Sequence, residues 1–344
     1  MKTRFLQNDD DGLTITEIVL ALGIFILMVG VGASCKVPLV RKMITSPKAR
    51  QAALAGVCCQ FVFMPIVAYL LTLVFGIKGY SALGVALAGT MPGGSSSNVF
   101  ALWGQGVLEL SVFMTIVSTI VAFGMTPLWL FFFTTVIDGV DPAAFAFVDM
   151  AITFALLVVP LSLGFGLNFL SCTQNVKFEK VLSVLAIIIF GAVIVLLSID
   201  YPNIFKLYTT WEIVVGAGMF FPLVAGLSYG LMTVLKFSPS VRRTVVIEVG
   251  MQNLALGFAI GQQSVKTAAE RDQLLSFSLV YAMFMYFWGF VLVPVMRWQK
   301  ERNEGAGIED TDPEFFIEEE HSEGTEEKHS GETQASGEGD DIAV

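Results

Sequence analysis

Residues 90–99 read Thr-Met-Pro-Gly-Gly-Ser-Ser-Ser-Asn-Val, and this stretch decides the fold. It lies inside the apolar segment 80–103, which is long enough to cross a bilayer. In hydrocarbon an unpaired backbone amide or carbonyl costs several kcal/mol. A proline and two glycines therefore survive there only where protein or a watery cavity supplies new partners. The stretch predicts a broken membrane helix.

A second interruption, Glu248-Val249-Gly250-Met251-Gln252-Asn253, follows about half a chain later. Its segment, 243–263, is apolar on both sides of the break. Broken membrane helices at corresponding positions of two halves are typical of the binding site of a transporter. The two stretches therefore predict where ligands bind.

The composition indicates a polytopic protein embedded in a lipid bilayer. Hydrophobic residues make up 55% of the chain and charged residues 15%, whereas soluble chains average about 25% charged.

The acidic residues are concentrated at the C-terminal end. Residues 301–344 carry 16 acidic and 2 basic side chains, whereas residues 1–300 carry 14 acidic and 18 basic side chains. Because such an acidic segment cannot bury enough apolar surface to fold, residues 298–344 are predicted to be a disordered cytoplasmic tail. It is either simply solvated or binds a cytoplasmic trafficking partner. No feature indicates nucleic-acid binding.

Nine membrane spans are predicted, and basic residues in their connections orient them. The side that holds the connection after the first span carries thirteen Lys and Arg, and the opposite side carries six. We therefore expect a multi-pass plasma-membrane protein with residues 1–12 extracellular, a transporter domain over 13–297 and a cytoplasmic C-terminus. The predicted spans are 15–34, 51–75, 80–103, 109–134, 143–170, 179–199, 211–235, 243–263 and 273–297.

Short matches within the chain indicate an inverted repeat. Spans one to four, about residues 13–134, correspond to spans six to nine, about 179–297, and span 143–170 lies between them. Because an odd number of spans separates the partners, the second unit is predicted to be upside down. The matching pairs are Phe63-Met64-Pro65 with Phe220-Phe221-Pro222, Asn98 with Asn253, and Pro127 with Pro294.

Glu248 lies deep in an apolar segment, where a charge at a helix centre costs ~2.5–3.5 kcal/mol. It must therefore be paired or face a polar cavity. An ion pair is one alternative, but Arg242 and Arg243 are interfacial and are expected to extend toward water. A bound cation is the predicted partner.

Oxygen-bearing side chains gather around the two interruptions. Carboxylate, hydroxyl, amide and freed carbonyl groups suit a hard cation, whereas the thiols and imidazoles that transition metals prefer are missing. Ser111 and Thr115 share a helix face; taken alone they would be helix-packing hydroxyls, and Gln60 alone an interhelical hydrogen bond. The set comprises Gln60, Ser97, Asn98, Ser111, Thr115, Glu248, Gln252 and Asn253.

Four motifs carry a resemblance to a known family. They are Cys59-Gln60-Phe61 with Met64-Pro65, the run from Pro92 to Asn98, Leu110 to Thr115 with Ser118-Thr119 and Pro127, and Glu248 to Asn253. Together they resemble the bile acid:sodium symporter family over all nine predicted spans. The resemblance implies an all-α polytopic fold with nine transmembrane helices. A panel of spans one, five and six would lie beside a core in which the two discontinuous helices cross.

The resemblance further implies sodium-coupled symport of an organic anion into the cell by alternating access, with two sodium ions and no other cofactor. The anion would lie between panel and core near the half-helix that starts at Ser95, because free amides there attract negative charge. One sodium site would take Ser97, Asn98, Ser111, Thr115 and Glu248. The other would take Gln60, Glu248 and Gln252 with the carbonyls of Val249 and Met251. The substrate site would take Ser95, Ser96, Asn253 and Met285.

Met285 departs from the family pattern, in which an asparagine or glutamine is expected at this place in the last span. The substrate class therefore stays open among bile salts, steroid sulfates and related carboxylates. A non-transporting relative and a membrane receptor or channel for an unknown ligand remain the alternatives. An enzyme is not expected, because both histidines, His321 and His329, lie in the tail and Asp149 and Asp200 lie at span ends.

Overall fold

The computed structural model describes residues 15–34, 37–141, 147–167, 210–265 and 267–310, with isolated positions between 185 and 195. The N-terminal segment 1–12, the predicted span 179–199 apart from those isolated positions, and the tail beyond residue 310 lie outside the described residues. The described part is helical and contains no β-strand, which confirms the all-α prediction. Its helices are α1 (Ile15–Ser34), α2 (Val37–Thr45), α3 (Pro47–Cys58), α4 (Met64–Phe75), α5 (Gly79–Gly89), α6 (Ser95–Trp103), α7 (Leu108–Val136), α8 (Phe147–Leu167), α9 (Trp211–Val234), α10 (Pro239–Gly250), α11 (Leu254–Ser264) and α12 (Ala268–Gly305).

Within the described residues, four helices are long and apolar enough to cross a membrane. They are the segment Pro47–Phe75, α7, α9 and α12, which correspond to the second, fourth, seventh and ninth predicted spans. The first of them contains a π-helical turn at Cys59–Phe63 that joins α3 to α4. A polytopic membrane protein with an all-helical fold is therefore confirmed.

Two glycines set the close approach of α1 and α8. A Cβ on Gly32 would overlap the backbone of Leu161, and a Cβ on Gly164 would overlap that of Val29. Small residues at such crossings let membrane helices pack backbone to backbone. The first and fifth predicted spans are therefore direct neighbours.

Both predicted interruptions are observed. α5 stops at Gly89 and α6 begins at Ser95, whereas α10 stops at Gly250 and α11 begins at Leu254. The two breaks meet in an isolated antiparallel bridge between Gly93 and Gln252. Each broken helix thus supplies partners to the backbone groups that the other break frees, as the membrane interior requires. The two hydrogen bonds run from Gly94 N to Met251 O at 2.9 Å and from Asn253 N to Pro92 O at 2.8 Å.

Side chains of neighbouring helices satisfy further backbone groups at the breaks. Three of these side chains donate to carbonyl oxygens and one accepts from a backbone amide, so side chains of other segments stabilise the backbone at both breaks. The bonds are Gln60 Nε2 to Met91 O at 2.6 Å, Thr126 Oγ1 to Thr90 O at 2.6 Å, Tyr281 Oη to Gly250 O at 2.8 Å, and Gly93 N to Ser118 Oγ at 3.2 Å.

Two prolines in the matched segments share the same local structure. Pro65 has no N–H, so the carbonyl of Phe61 loses its helical partner; the indole of Trp129 donates to that carbonyl at 2.8 Å. Pro222 likewise frees the carbonyl of Gly218, and the indole of Trp288 donates to it at 2.8 Å. The short sequence match between these segments therefore reflects a shared arrangement of proline, freed carbonyl and tryptophan.

The last helix extends past residue 298, where the acidic tail is predicted to begin. α12 continues to Gly305, and Asp310 is buried, with 7% of its surface exposed. Asp310 forms a salt bridge with the buried Arg243, so the segment after α12 supplies a partner for that charge.

A buried oxygen cluster at the helix crossing

The carboxylate of Glu248 is the centre of a buried cluster of oxygen atoms. Glu248 lies in the last turn of α10, immediately before the break, and only 1% of its surface is exposed. Three hydroxyl groups contact its two carboxylate oxygens. Ser97 Oγ and Ser111 Oγ each lie 2.6 Å from Oε2, and Thr115 Oγ1 lies 2.5 Å from Oε1.

The same hydroxyl groups face further acceptors. Ser97 Oγ lies 2.6 Å from Gly94 O, Ser111 Oγ lies 2.9 Å from Asn98 Oδ1, and Thr115 Oγ1 lies 3.0 Å from Ser111 O. Each hydroxyl group carries one proton but lies near two acceptor oxygens, so three protons are available for six oxygen–oxygen contacts. The cluster therefore has more oxygen lone pairs than protons to satisfy them, which is an environment suited to a hard cation.

The structure brings together all five side chains predicted for the first cation site. Ser97 and Asn98 lie in the first turn of α6, Ser111 and Thr115 are one turn apart in α7, and Glu248 reaches them from α10. Three separate segments meet here because the crossing of the broken helices places the start of α6 beside the end of α10.

The residues predicted for the second cation site lie around the same break. Gln60 lies in the π-helical turn and donates to Met91 O. The side-chain amide of Gln252 is buried, and neither its oxygen nor its nitrogen has a hydrogen-bond partner among the described residues. The carbonyl of Val249 loses its helical partner, because Asn253 N donates to Pro92 O instead. Met251 O accepts from Gly94 N, and one of its two lone pairs is left.

The expectation that Arg243 extends toward water is wrong. Its side chain is 1% exposed and forms a salt bridge with Asp310. The guanidinium is held away from Glu248 by hydrogen bonds to Asp310 and Gln105, so it does not neutralise the buried carboxylate. Within the described part of the chain, Glu248 makes no salt bridge.

The residues predicted for the substrate site are not brought into one open surface. Ser95 is the first residue of α6, Ser96 is 5% exposed, and Met285 is 1% exposed. Asn253 caps α11, since its Oδ1 accepts from Leu256 N at 3.1 Å. A cavity of about 690 Å³ lies elsewhere, between α9, α10 and α12, and none of these four residues lines it.

Sequence reasoning missed two residues that shape the cluster. Ser118 accepts from Gly93 N, and a Cβ on Gly93 itself would overlap the carboxylate of Glu248. Ser118 was visible as part of a matched motif, but its contact with the break follows only from the way α7 passes the crossing. No group of three or more His, Cys, Asp or Glu side chains that could hold a metal occurs among the described residues.

Known proteins resemble this chain over most of its length. The sequence model of the sodium bile acid symporter family matches residues 21–205. The chain is 30% identical over 290 residues to the sodium-dependent organic anion transporter of Bos taurus, which covers 83% of this chain and 74% of that protein. It is 33% identical over 248 residues to the protein of that name from Mus musculus, with 72% and 65% covered. It is 32% identical over 273 residues to the ileal sodium/bile acid cotransporter of Homo sapiens, with 79% and 75% covered. The chain therefore belongs to the sodium bile acid symporter family, whose members are membrane transporters rather than enzymes.

Proposed function

We propose that the chain is a sodium-coupled symporter that imports an organic anion by alternating access. The main support for this proposal is the surplus of oxygen acceptors around Glu248, where three hydroxyl protons are available for six oxygen–oxygen contacts. Sodium has no protons to donate and needs several oxygen ligands, so it satisfies acceptors that the hydroxyl groups cannot. The names of the related transporters support sodium as the coupling ion.

Two sodium ions are proposed. The first would be held by Ser97, Asn98, Ser111, Thr115 and Glu248, whose hydroxyl groups can rotate to turn lone pairs toward the ion. The second would be held by Gln60, Glu248 and Gln252 with the carbonyls of Val249 and Met251. The unpartnered amide of Gln252 supports this second site, because buried amide groups are otherwise hydrogen-bonded.

Charge balance supports an anionic substrate. Two sodium ions against the single carboxylate of Glu248 leave one positive charge in a buried site. A monoanionic carboxylate, sulfonate or sulfate would neutralise that charge and so would allow the loaded site to move across the membrane. Transport would carry one net charge, worth ~2.3 kcal/mol per 100 mV.

The substrate is proposed to bind near the start of α6, at Ser95 and Ser96, with Asn253 and Met285 close by. Bile salts, steroid sulfates and related carboxylates are the candidate classes. Because Ser96, Asn253 and Met285 are all buried, binding there requires a rearrangement that opens the region beside the crossing. A panel of spans one, five and six would move relative to the core to do so.

The proposed topology has nine spans, with an extracellular N-terminus, a cytoplasmic C-terminus and inverted repeats over 13–134 and 179–297. The antiparallel bridge between the two breaks supports opposite directions for the two broken helices. The shared environments of Pro65 and Pro222 support the repeat. Residues beyond Asp310 are proposed to form an acidic cytoplasmic tail.

The test is an uptake panel in cells that express the chain at the plasma membrane. Taurocholate, a steroid sulfate and a small carboxylate are offered in sodium chloride and in choline chloride of equal ionic strength. We expect at least one anion to enter only with sodium. Surface expression without sodium-dependent uptake of any of them would favour a non-transporting relative, or a receptor or channel.

A further inference from the structure

The segment after α12 is tied to the helix that carries Glu248. Arg243 lies in α10, five residues before Glu248. Its Nη1 and Nη2 donate to Oδ1 and Oδ2 of Asp310 at 2.9 and 2.5 Å. The amide of Ser240 donates to the main-chain oxygen of Asp310 at 3.1 Å, so the backbone is docked as well as the side chain.

The same arginine binds the end of the other half-helix of the site. Arg243 Nε and Nη2 donate to Gln105 O at 3.1 and 2.7 Å. Gln105 follows α6 with a φ of 58°, a left-handed conformation that is unfavourable for a residue with a side chain and persists only where its surroundings hold it. Next to Arg243, Thr244 Oγ1 accepts from Val107 N at 2.7 Å. Two consecutive residues of α10 therefore hold the loop after α6.

The last helix supplies two more cations to this place. Arg297 Nε donates to Trp103 O at 2.7 Å, and Lys300 Nζ donates to Gln105 Oε1 at 3.1 Å. Positive charges are favourable there because the C-terminal end of α6 carries the negative end of its dipole. Burial raises the pKa of Asp310, but the hydrogen bonds and charge of Arg243 outweigh that effect and lower it, so the carboxylate is charged at neutral pH.

We propose that Arg243, Asp310 and Gln105 form a clasp that positions the sodium ligands. The proposal rests on the sodium-coupled function proposed above. Ser97 and Asn98 lie on α6 and Glu248 lies on α10, so their separation depends on how these two half-helices are held. The bridge at Gly93 and Gln252 joins the half-helices at one end, and the clasp joins them at the other. With one attachment lost, α6 and α10 can pivot about the remaining one. Arg243 and Asp310 are thus positioning residues that touch neither ion nor anion.

A pair of neighbouring substitutions in the full chain tests the clasp. Asp310→Asn removes the charge that Arg243 binds, whereas Glu309→Gln removes a charge from an exposed side chain beside it. Groups that hold metal ligands in place typically contribute about 10- to 100-fold in affinity, so we expect the sodium half-saturation of Asp310→Asn uptake to rise about tenfold. The substrate half-saturation at saturating sodium should change little, and Glu309→Gln should match the wild type.

Asp310→Asn leaves a buried arginine without its partner, which can by itself prevent folding. The double variant Arg243→Met with Asp310→Leu removes both charges, restores an apolar contact and still lacks the bonds to Gln105. We expect it to reach the surface with the sodium half-saturation raised. A second readout is the thermal stabilisation of purified protein by sodium chloride over choline chloride, which needs no transport.

The outcomes separate the two proposals. A wild-type protein that sodium stabilises, together with a double variant that has the wild-type sodium half-saturation, overturns the clasp and leaves the transport proposal intact. A wild-type protein that responds to sodium in neither measurement overturns both. A sodium response that weakens in the double variant and not in Glu309→Gln supports the clasp.

Discussion

The carboxylate of Glu248 lies where a side chain on Gly93 would have to be. A Cβ built on Gly93 overlaps Glu248 Oε1, and one on Gly94 comes close to the backbone of Gln252. Neither glycine has a positive φ, so close approach rather than backbone conformation explains them. The Pro-Gly-Gly sequence thus lets the first broken helix pass directly against the acidic residue of the second.

Gly93→Ala should therefore disrupt the packing of the two broken helices where they cross. The added methyl group must displace a carboxylate that three hydroxyl groups hold, and overpacking of a tight interior typically costs about 1–3 kcal/mol. We expect a lower melting temperature in detergent and the loss of sodium-dependent uptake. The measurement is thermal unfolding by fluorescence-detected size-exclusion chromatography, together with uptake at saturating sodium.

Gly124→Ala is the matched control for that change. Gly124 lies within α7, and no atom lies within 4 Å of a Cβ placed there. Since alanine is a better helix former than glycine by about 1 kcal/mol, this variant should be at least as stable as the wild type. If Gly93→Ala proves as stable and as active as Gly124→Ala, the close approach of Gly93 to Glu248 is not needed for stability or uptake.

The charge of Glu248 is the subject of the next prediction. Glu248→Gln keeps the shape of the side chain and one oxygen acceptor but loses the charge that balances a cation. We expect sodium-driven uptake to be abolished while surface expression remains. The comparison variant is Glu301→Gln, which neutralises an exposed glutamate in the last turns of α12. Wild-type uptake by Glu248→Gln, measured at equal surface expression, contradicts the role assigned to this residue.

The breaks and the oxygen cluster around Glu248 were predictable because the membrane penalises polar groups. Pro92, the two glycines and Glu248 stand out in apolar sequence, so each demands an explanation from the local sequence alone. The clasp was not predictable in this way. Arg243 lies next to Arg242 in a basic connection, and Asp310 lies in an acidic segment typical of a solvated tail. Their pairing depends on α12 continuing to Gly305 and on the chain then turning back, which local patterns do not specify.

Ser97 should affect sodium more than the organic anion. Its hydroxyl contacts Glu248 and the carbonyl of Gly94, and a hydrogen bond to a charged group is worth about 1.5–3 kcal/mol, or about tenfold or more in affinity. We expect Ser97→Ala to raise the sodium half-saturation by about tenfold, with a smaller change for the substrate.

A second serine controls for the loss of a buried hydroxyl. Ser276 is fully buried in α12, and its Oγ donates within its own helix to Gln273 O at 2.7 Å. Ser276→Ala should leave the sodium half-saturation unchanged. A sodium titration in which Ser97→Ala and Ser276→Ala behave alike rules out Ser97 as a ligand.

The number of coupled ions can be tested at Gln252. Its amide is buried without a partner among the described residues, and the second sodium ion is proposed to bind there. Gln252→Leu removes the amide oxygen and nitrogen at nearly constant volume. If two ions bind cooperatively, the Hill coefficient for sodium should fall from about two toward about one, since a single ion remains.

Gln262 offers a control, because its amide in α11 also lacks a partner in the described part of the chain but lies about 15 Å further along, at 1.5 Å per residue. Gln262→Leu should therefore keep the wild-type coefficient. A wild-type coefficient near one that Gln252→Leu leaves unchanged would falsify the second sodium site, and the charge balance would then require a neutral rather than an anionic substrate at the centre of the membrane.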